Sequence, residues 1–272
     1  MSHDPHRCYF SLILYNRTIS GESFNMISPT LFLVPFLLLH SCVSAKTVTY
    51  DWTVTYVSVK PDGFQRRAIG INGQWPCPAI NVDVGDQVVV NLKNGLTDEY
   101  TSLHWHGIFQ KGTNDMDGPP GVVACEIAPG ESFTYDFAIN QPGTYWYHSH
   151  TAGQYPDGLR GPIIVNDPYS PYKGQYDAEL VVTVADWYHD EMPGLVSYYL
   201  NHTANPNGTE PIPYSALLNE AQNIKLHVKP NKTYLIRTIN MAAFAQAYLH
   251  FDQVCIFGTW EDEMLTVLRS TP

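Results

Sequence analysis

From Thr47 onward the chain alternates with a period of two, and no other feature constrains its fold as tightly. In "TVTYDWTVTY", Val48, Tyr50, Trp52, Val54 and Tyr56 fall on one side of an extended strand. "SFTYDFAI" repeats the pattern with Phe133, Tyr135, Phe137 and Ile139. "QVVVNLKNG", "GPIIVND", "AELVVTVADW", "IKLHVKP" and "TYLIRTINM" continue the series, punctuated by turn signals such as Asn94-Gly95. No stretch keeps an amphipathic helical period over three turns. The expectation is an all-β protein built from Greek-key β-sandwiches.

A chain of 272 residues holds one large domain or two of ordinary size. "DPYSPYKGQYD", residues 167–177, is rich in Pro, Tyr and Gly and reads as a linker. Residues 46–166 then form one complete sandwich, and 178–272 a second with too few strands. Upstream, residues 26–45 read "MISPTLFLVPFLLLHSCVSA". The apolar core, Leu31 to Leu39, is too short to span a bilayer and is broken by Pro35, and "VSA" is a small-X-small cleavage pattern. A secretory signal is expected there, with translation starting at Met26 and residues 1–25 a non-native extension. In the oxidising compartment that a signal implies, Cys77 and Cys125 are candidates for a disulfide, although pairing cannot be read from sequence. The Asn-X-Thr sequons at Asn201, Asn207 and Asn231 are expected to carry glycans.

Charge excludes one partner class. Fifteen Lys and Arg stand against 26 Asp and Glu, for a net charge of −11, and no basic run interrupts the chain. A nucleic acid needs a basic face, so it is not expected as a partner.

Two His-X-His pairs carry the chemistry: His104 and His106 in "LHWHG", and His148 and His150 in "YWYHSH". Residues i and i+2 of a strand share a face about 6–7 Å apart. Pairs on neighbouring strands therefore present four imidazoles to one volume. Imidazole binds copper, zinc, iron and nickel alike, so spacing does not choose the metal. Chance alone gives roughly 0.4 such pairs in a chain of this His content.

The wider sequence does choose. "HWHG", "GTYWYHSHTAGQYPDGLRGPIIV", "GINGQWPCPAI", "MDGPPGVVACEIAPG" and "WYHD" resemble the first-domain motifs of multicopper oxidases, and the resemblance runs from about Thr47 to Gln253. It implies cupredoxin-like domains, a type 1 copper that takes electrons from a reductant, and a trinuclear cluster that reduces O2 to water. By position His104 resembles a type 2 copper ligand. His106 and His148 resemble ligands of one type 3 copper, and His150 a ligand of the other. Asp117, in "MDG", matches an acid that assists proton transfer, although Asp-Gly is also a common turn dipeptide. "NPNGTEPIP", residues 205–213, resembles a segment of fungal iron-uptake ferroxidases, in which the acid at Glu210 helps bind Fe(II). That resemblance implies high-affinity iron uptake, with a membrane-anchored full-length protein at the outer face of the plasma membrane and an iron permease as partner.

The resemblance is partial. No Cys lies in a His-Cys-His context, as a type 1 site requires, and His189, His202, His227 and His250 are unpaired and read as ordinary residues, His227 on the polar face of its strand. From Val254 the tail "VCIFGTWEDEMLTVLRSTP" departs from the family, as a retained intron or frame error would make it. Half a cluster without type 1 copper is expected to be inactive alone, and an incomplete sandwich to misfold through its open edge. The alternatives are a laccase-like phenol or pigment oxidase and a non-catalytic secreted copper-binding protein; a metal-free glycoprotein would leave the four histidines without a use.

Overall fold

β-branched and aromatic residues at alternate positions favour extended backbone, and such strands persist only where their apolar face is covered. The computed structural model describes residues 45–247, 249, 254–260 and 263–269. The extension and signal expected over 1–45, apart from Ala45, lie outside these residues, as does His250.

The first sandwich places two four-stranded sheets face to face. One has the order β2-β1-β4-β6, from β1 (Thr47–Val59), β2 (Arg66–Ile71), β4 (Gln87–Asn94) and β6 (Ser132–Ala138). The other has the order β3-β8-β7-β5, from β3 (Ile80–Asp83), β5 (His104–His106), β7 (Gly143–His148) and β8 (Arg160–Asn166). Their inner faces bury Trp52, Val54, Val88, Val90, Leu92, Tyr135, Phe137, Ile163, Val165 and Tyr147 in one core. Trp105 is fully buried there, its ring 5.2 Å from Tyr135 and 5.0 Å from Phe137. Because Trp105 points inward, its neighbours His104 and His106 point outward together.

Residues 178–269 add a five-stranded sheet of order β10-β9-β11-β13-β12, from β9 (Ala178–Trp187), β10 (Ser215–Leu218), β11 (Thr233–Asn240), β12 (Val254–Trp260) and β13 (Glu263–Arg269). Its first four positions repeat the first sheet. β1 is antiparallel to β2 and parallel to β4, and β4 is antiparallel to β6; β9 stands in the same relation to β10 and β11, and β11 to β13. The repeat extends to a turn. Asn72 bonds Thr53, its side-chain oxygen accepting the Thr53 N–H at 2.7 Å and its own N–H donating to the Thr53 carbonyl at 2.8 Å. Asn219 makes the same two bonds to Thr183 at 2.7 and 2.8 Å. Both turns use positive φ at two successive residues, Asn72 and Gly73 in one, Asn219 and Glu220 in the other.

Two expectations change, for "IKLHVKP" and for the cysteines, and the tail gains strands. "IKLHVKP" is not a strand: residues 224–230 lie outside any ladder, since alternation without an adjacent strand leaves nothing to pair with, and His227 is exposed. The divergent tail folds into paired strands, β13 covering the edge of β11 and β12 standing outermost. Cys77 and Cys125 are not bridged: Cys77 is buried with its Sγ 3.5 Å from the Gly158 carbonyl, whereas Cys125 is exposed on a loop. One short helix, α1 (Met192–Tyr199), follows β9, and no described helix is long and apolar enough to cross a membrane.

The first sandwich and the five-stranded sheet are joined by buried charge. Arg66, on β2, pairs with Asp157 and donates to the carbonyls of Tyr188 and Asp190, while Asp157 accepts the Met192 N–H. Arg160, on β8, grips Glu220 through two bonds of 2.7 and 2.8 Å.

Candidate metal centre

β5 pairs antiparallel with the end of β7, and the register sets His104 opposite His148 and His106 opposite Trp146. Directly opposed residues and their diagonal neighbours on one face are the closest side chains a sheet can offer. The imidazole centroids accordingly lie close: His104 is 5.7 Å from His106, 5.3 Å from His148 and 5.7 Å from His150. His106 and His148 are 5.5 Å apart, and His148 and His150 6.0 Å. One ring nitrogen from each of His104, His106 and His148 lies within 4.8 Å of the others. His150 joins the cluster from the turn beyond β7.

Neighbours orient each ring. The His104 Nδ1 is 3.0 Å from the Asp117 carbonyl and 3.2 Å from its carboxylate, which directs Nε2 away from Asp117. The His148 Nδ1 lies 2.8 Å from the Ser149 carbonyl, so its Nε2 faces the cluster. Such partners fix tautomer and direction in metal-ligating histidines. Trp146, which the sequence alone does not single out, stacks on His148 at 4.3 Å and His106 at 5.0 Å. Asp117 reaches His104 because Gly118 follows it: at φ +95° a Cβ there would stand 1.7 Å from the Leu103 carbonyl oxygen. The Trp105 indole holds the same turn by donating to the Met116 carbonyl at 2.9 Å.

Two of the rings are held in the neutral form. Burial, then repulsion from the other histidines, pushes His148 down to about 3 against the pull of the Ser149 carbonyl, and burial with repulsion from His104 and His150 lowers His106. Neutral imidazole is the form that binds a metal. The donors also fit one. The His106 Nδ1 and His148 Nε2 are 3.3 Å apart. Two nitrogens held at about 2.0–2.1 Å from one ion in tetrahedral geometry stand about 3.3–3.4 Å apart.

The remaining expected residues lie elsewhere. Glu210 is exposed on the loop between α1 and β10. It does not join the histidines. His189 is sandwiched between Phe64 and Tyr214, with its Nε2 2.8 Å from Asp62, as an ordinary satisfied histidine would be. His202 is exposed, as are Asn201, Asn207 and Asn231.

A β-sandwich with His104 and His106 on β5, and His148 and His150 at and just beyond the end of β7, defines a candidate metal-binding protein. Two profiles of the multicopper oxidase family match residues 53–170 and 178–253. The chain belongs to the multicopper oxidase family, whose cofactor is copper. It is 55% identical over 210 residues to the iron transport multicopper oxidase fetC of Epichloe festucae, which covers 77% of this chain and 34% of that protein. With the iron transport multicopper oxidase FET3 of Gibberella zeae it shares 53% identity over 218 residues, 80% of this chain and 35% of that one. Its fold matches the crystal structure of Fet3p, a multicopper oxidase that functions in iron import, with a TM-score of 0.70 and 43% identity over 73% of this chain and 37% of that chain. The laccase from Botrytis aclada matches with a TM-score of 0.65 and 35% identity, over 73% and 39% of the two chains. The chain spans about a third of the length of the curated relatives it matches.

Proposed function

We propose that these residues belong to a ferroxidase that couples one-electron oxidation of Fe(II) to reduction of O2 to water in iron uptake. The observation that carries the reading is the convergence of His104, His106, His148 and His150 from β5 and the end of β7. His106 and His148, whose facing nitrogens suit a single ion, hold one type 3 copper; His150 ligates the other, and His104 the type 2 copper. Bound copper supplies the one-electron chemistry, which these side chains alone lack.

The chain's own residues bind and orient. Asp117 holds the His104 ring through its carbonyl and presents a part-exposed carboxylate beside it, placed to pass protons toward the oxygen being reduced. Glu210 offers Fe(II) a hard, solvent-accessible oxygen ligand and favours the more highly charged Fe(III) product. The names of the relatives, iron transport multicopper oxidases, support iron over phenols. The whole protein then acts at the cell surface beside an iron permease and carries glycans at the exposed Asn201, Asn207 and Asn231.

Steady-state kinetics of the full-length oxidase test this. Glu210→Ala is expected to raise KM for Fe(II) about tenfold while leaving oxidation of a phenol unchanged. Equal loss on both substrates, or phenol turnover well above iron turnover in the parent protein, would favour the laccase-like reading.

A further inference from the structure

Four imidazoles from two strands need a device that fixes the strands' separation, and β5 is too short to supply it alone. Its ladder with β7 covers only His104 to His106. His150, beyond the end of β7, has no ladder partner. The buried amide of Gln154 spans this gap. Gln154 is 1% exposed, and four bonds satisfy its side chain. Its Oε1 accepts the Thr101 hydroxyl at 2.9 Å and the Ser149 hydroxyl at 2.8 Å. Its Nε2 donates to Glu99 at 2.9 Å and to the Tyr100 carbonyl at 2.7 Å.

These partners are not scattered. Glu99, Tyr100 and Thr101 form the approach to β5, and Ser149 lies between His148 and His150. Ser149 supplies the carbonyl that orients His148. Beside the amide, the Ser102 hydroxyl contacts Thr151 at 3.1 Å and accepts the His150 N–H at 3.4 Å. A fully satisfied buried network is rigid, and a partly satisfied one costs more than none.

We infer that Gln154 is a positioning residue of the metal centre: its amide locks the approach to His104 onto the Ser149 turn and so fixes where His148 and His150 stand. The inference rests on the copper reading for its purpose, but its geometry is testable without metal.

The test uses the full chain and two readouts. In the metal-free protein, long-range ¹H–¹⁵N spectra report the tautomer and environment of each histidine ring. Gln154→Leu and the milder Ser149→Ala are expected to shift or broaden the His148 and His150 signals, with Ser149→Ala the arbiter should Gln154→Leu not fold. Ile236→Ala, a cavity in the core of the other sandwich, controls for lost stability and should leave those signals in place. In the second readout, Cu(II) titration followed by electron paramagnetic resonance should show affinity falling about 10- to 100-fold in the Gln154 variant. Wild-type histidine signals or wild-type Cu(II) affinity in both variants overturns the inference, as do equal ring shifts in Ile236→Ala. If the parent chain takes up no Cu(II), the functional reading fails, and the metal-free spectra still decide the role of Gln154.

Discussion

His104 and His148 face each other across a strand pair, yet different neighbours make them useful. His104 is turned by Asp117, whose position depends on a glycine; His148 is turned by its own chain neighbour and kept neutral by burial. Each dependence has its own consequence. Gly118→Ala sets a Cβ against the Leu103 carbonyl in a backbone conformation that alanine resists, so the chain should lose about 2 kcal/mol or more of stability in urea titration. The same variant should weaken Cu(II) binding, because Asp117 moves with the turn. His148→Ala removes one imidazole of the cluster; calorimetric titration should show Cu(II) affinity reduced at least tenfold, and the metal-free chain should melt lower because a buried ring is lost from beside Trp146.

At the scale of elements, strands were legible from sequence where they were long. β1 and β6 display enough alternate positions to declare a face, and the residues read as inward-facing are the ones in the core. β3, β5 and β10 have four residues or fewer, too few to establish a period. The histidine pairs were legible because a spacing of two is enough to align side chains on any strand. Trp146 and Gln154 were not, since the contacts of Trp146 with His106 and of Gln154 with Thr101 follow from the pairing of segments some forty to fifty residues apart. "VCIFGTW" opens on four apolar residues in a row and shows no alternation, yet it pairs with β13. Thr266→Pro, in the middle of β13 where it opposes both Ile236 and Ile256, should expose β11 amides to hydrogen exchange while leaving Cu(II) binding by the first sandwich intact.

The same scale governs the turn between β3 and β4. Burial works to raise the Asp86 carboxyl, but bonds from the backbone N–H groups of Asp83 and Lys46, with the Lys46 ammonium, outweigh it and hold the group below the ordinary carboxylate range. A depressed carboxyl contributes stability that is present above its unfolded value, about 3.9, and is lost as pH falls through the folded value. Asp86→Asn should therefore cost about 1–3 kcal/mol at pH 7, and the deficit should shrink in acid as the parent loses the same advantage. Urea midpoints of both proteins from pH 7 to pH 3 measure this.

Over the whole molecule, charge buried between the sandwiches ties them into one folding unit. Arg66 meets Asp157 in the first sandwich and the 188–190 backbone that follows β9, so neither sandwich presents the pair to water. Arg66→Leu leaves the Asp157 carboxylate buried without its cation, a loss of about 3–5 kcal/mol. Circular dichroism and tryptophan fluorescence should then report one lowered transition rather than two separate ones.

The twin turns at Asn72 and Asn219 bear on how such a protein is inherited. Both sheets bend at the same place, on the same residue type, against a threonine at the matching position, whereas among the described residues the histidine cluster belongs to the first sheet pair. The bend therefore does not depend on the histidines: the same strand order and the same turn form with them and without them. Glu210 lies on an exposed loop between helix and strand, where residues can change without disturbing a single strand.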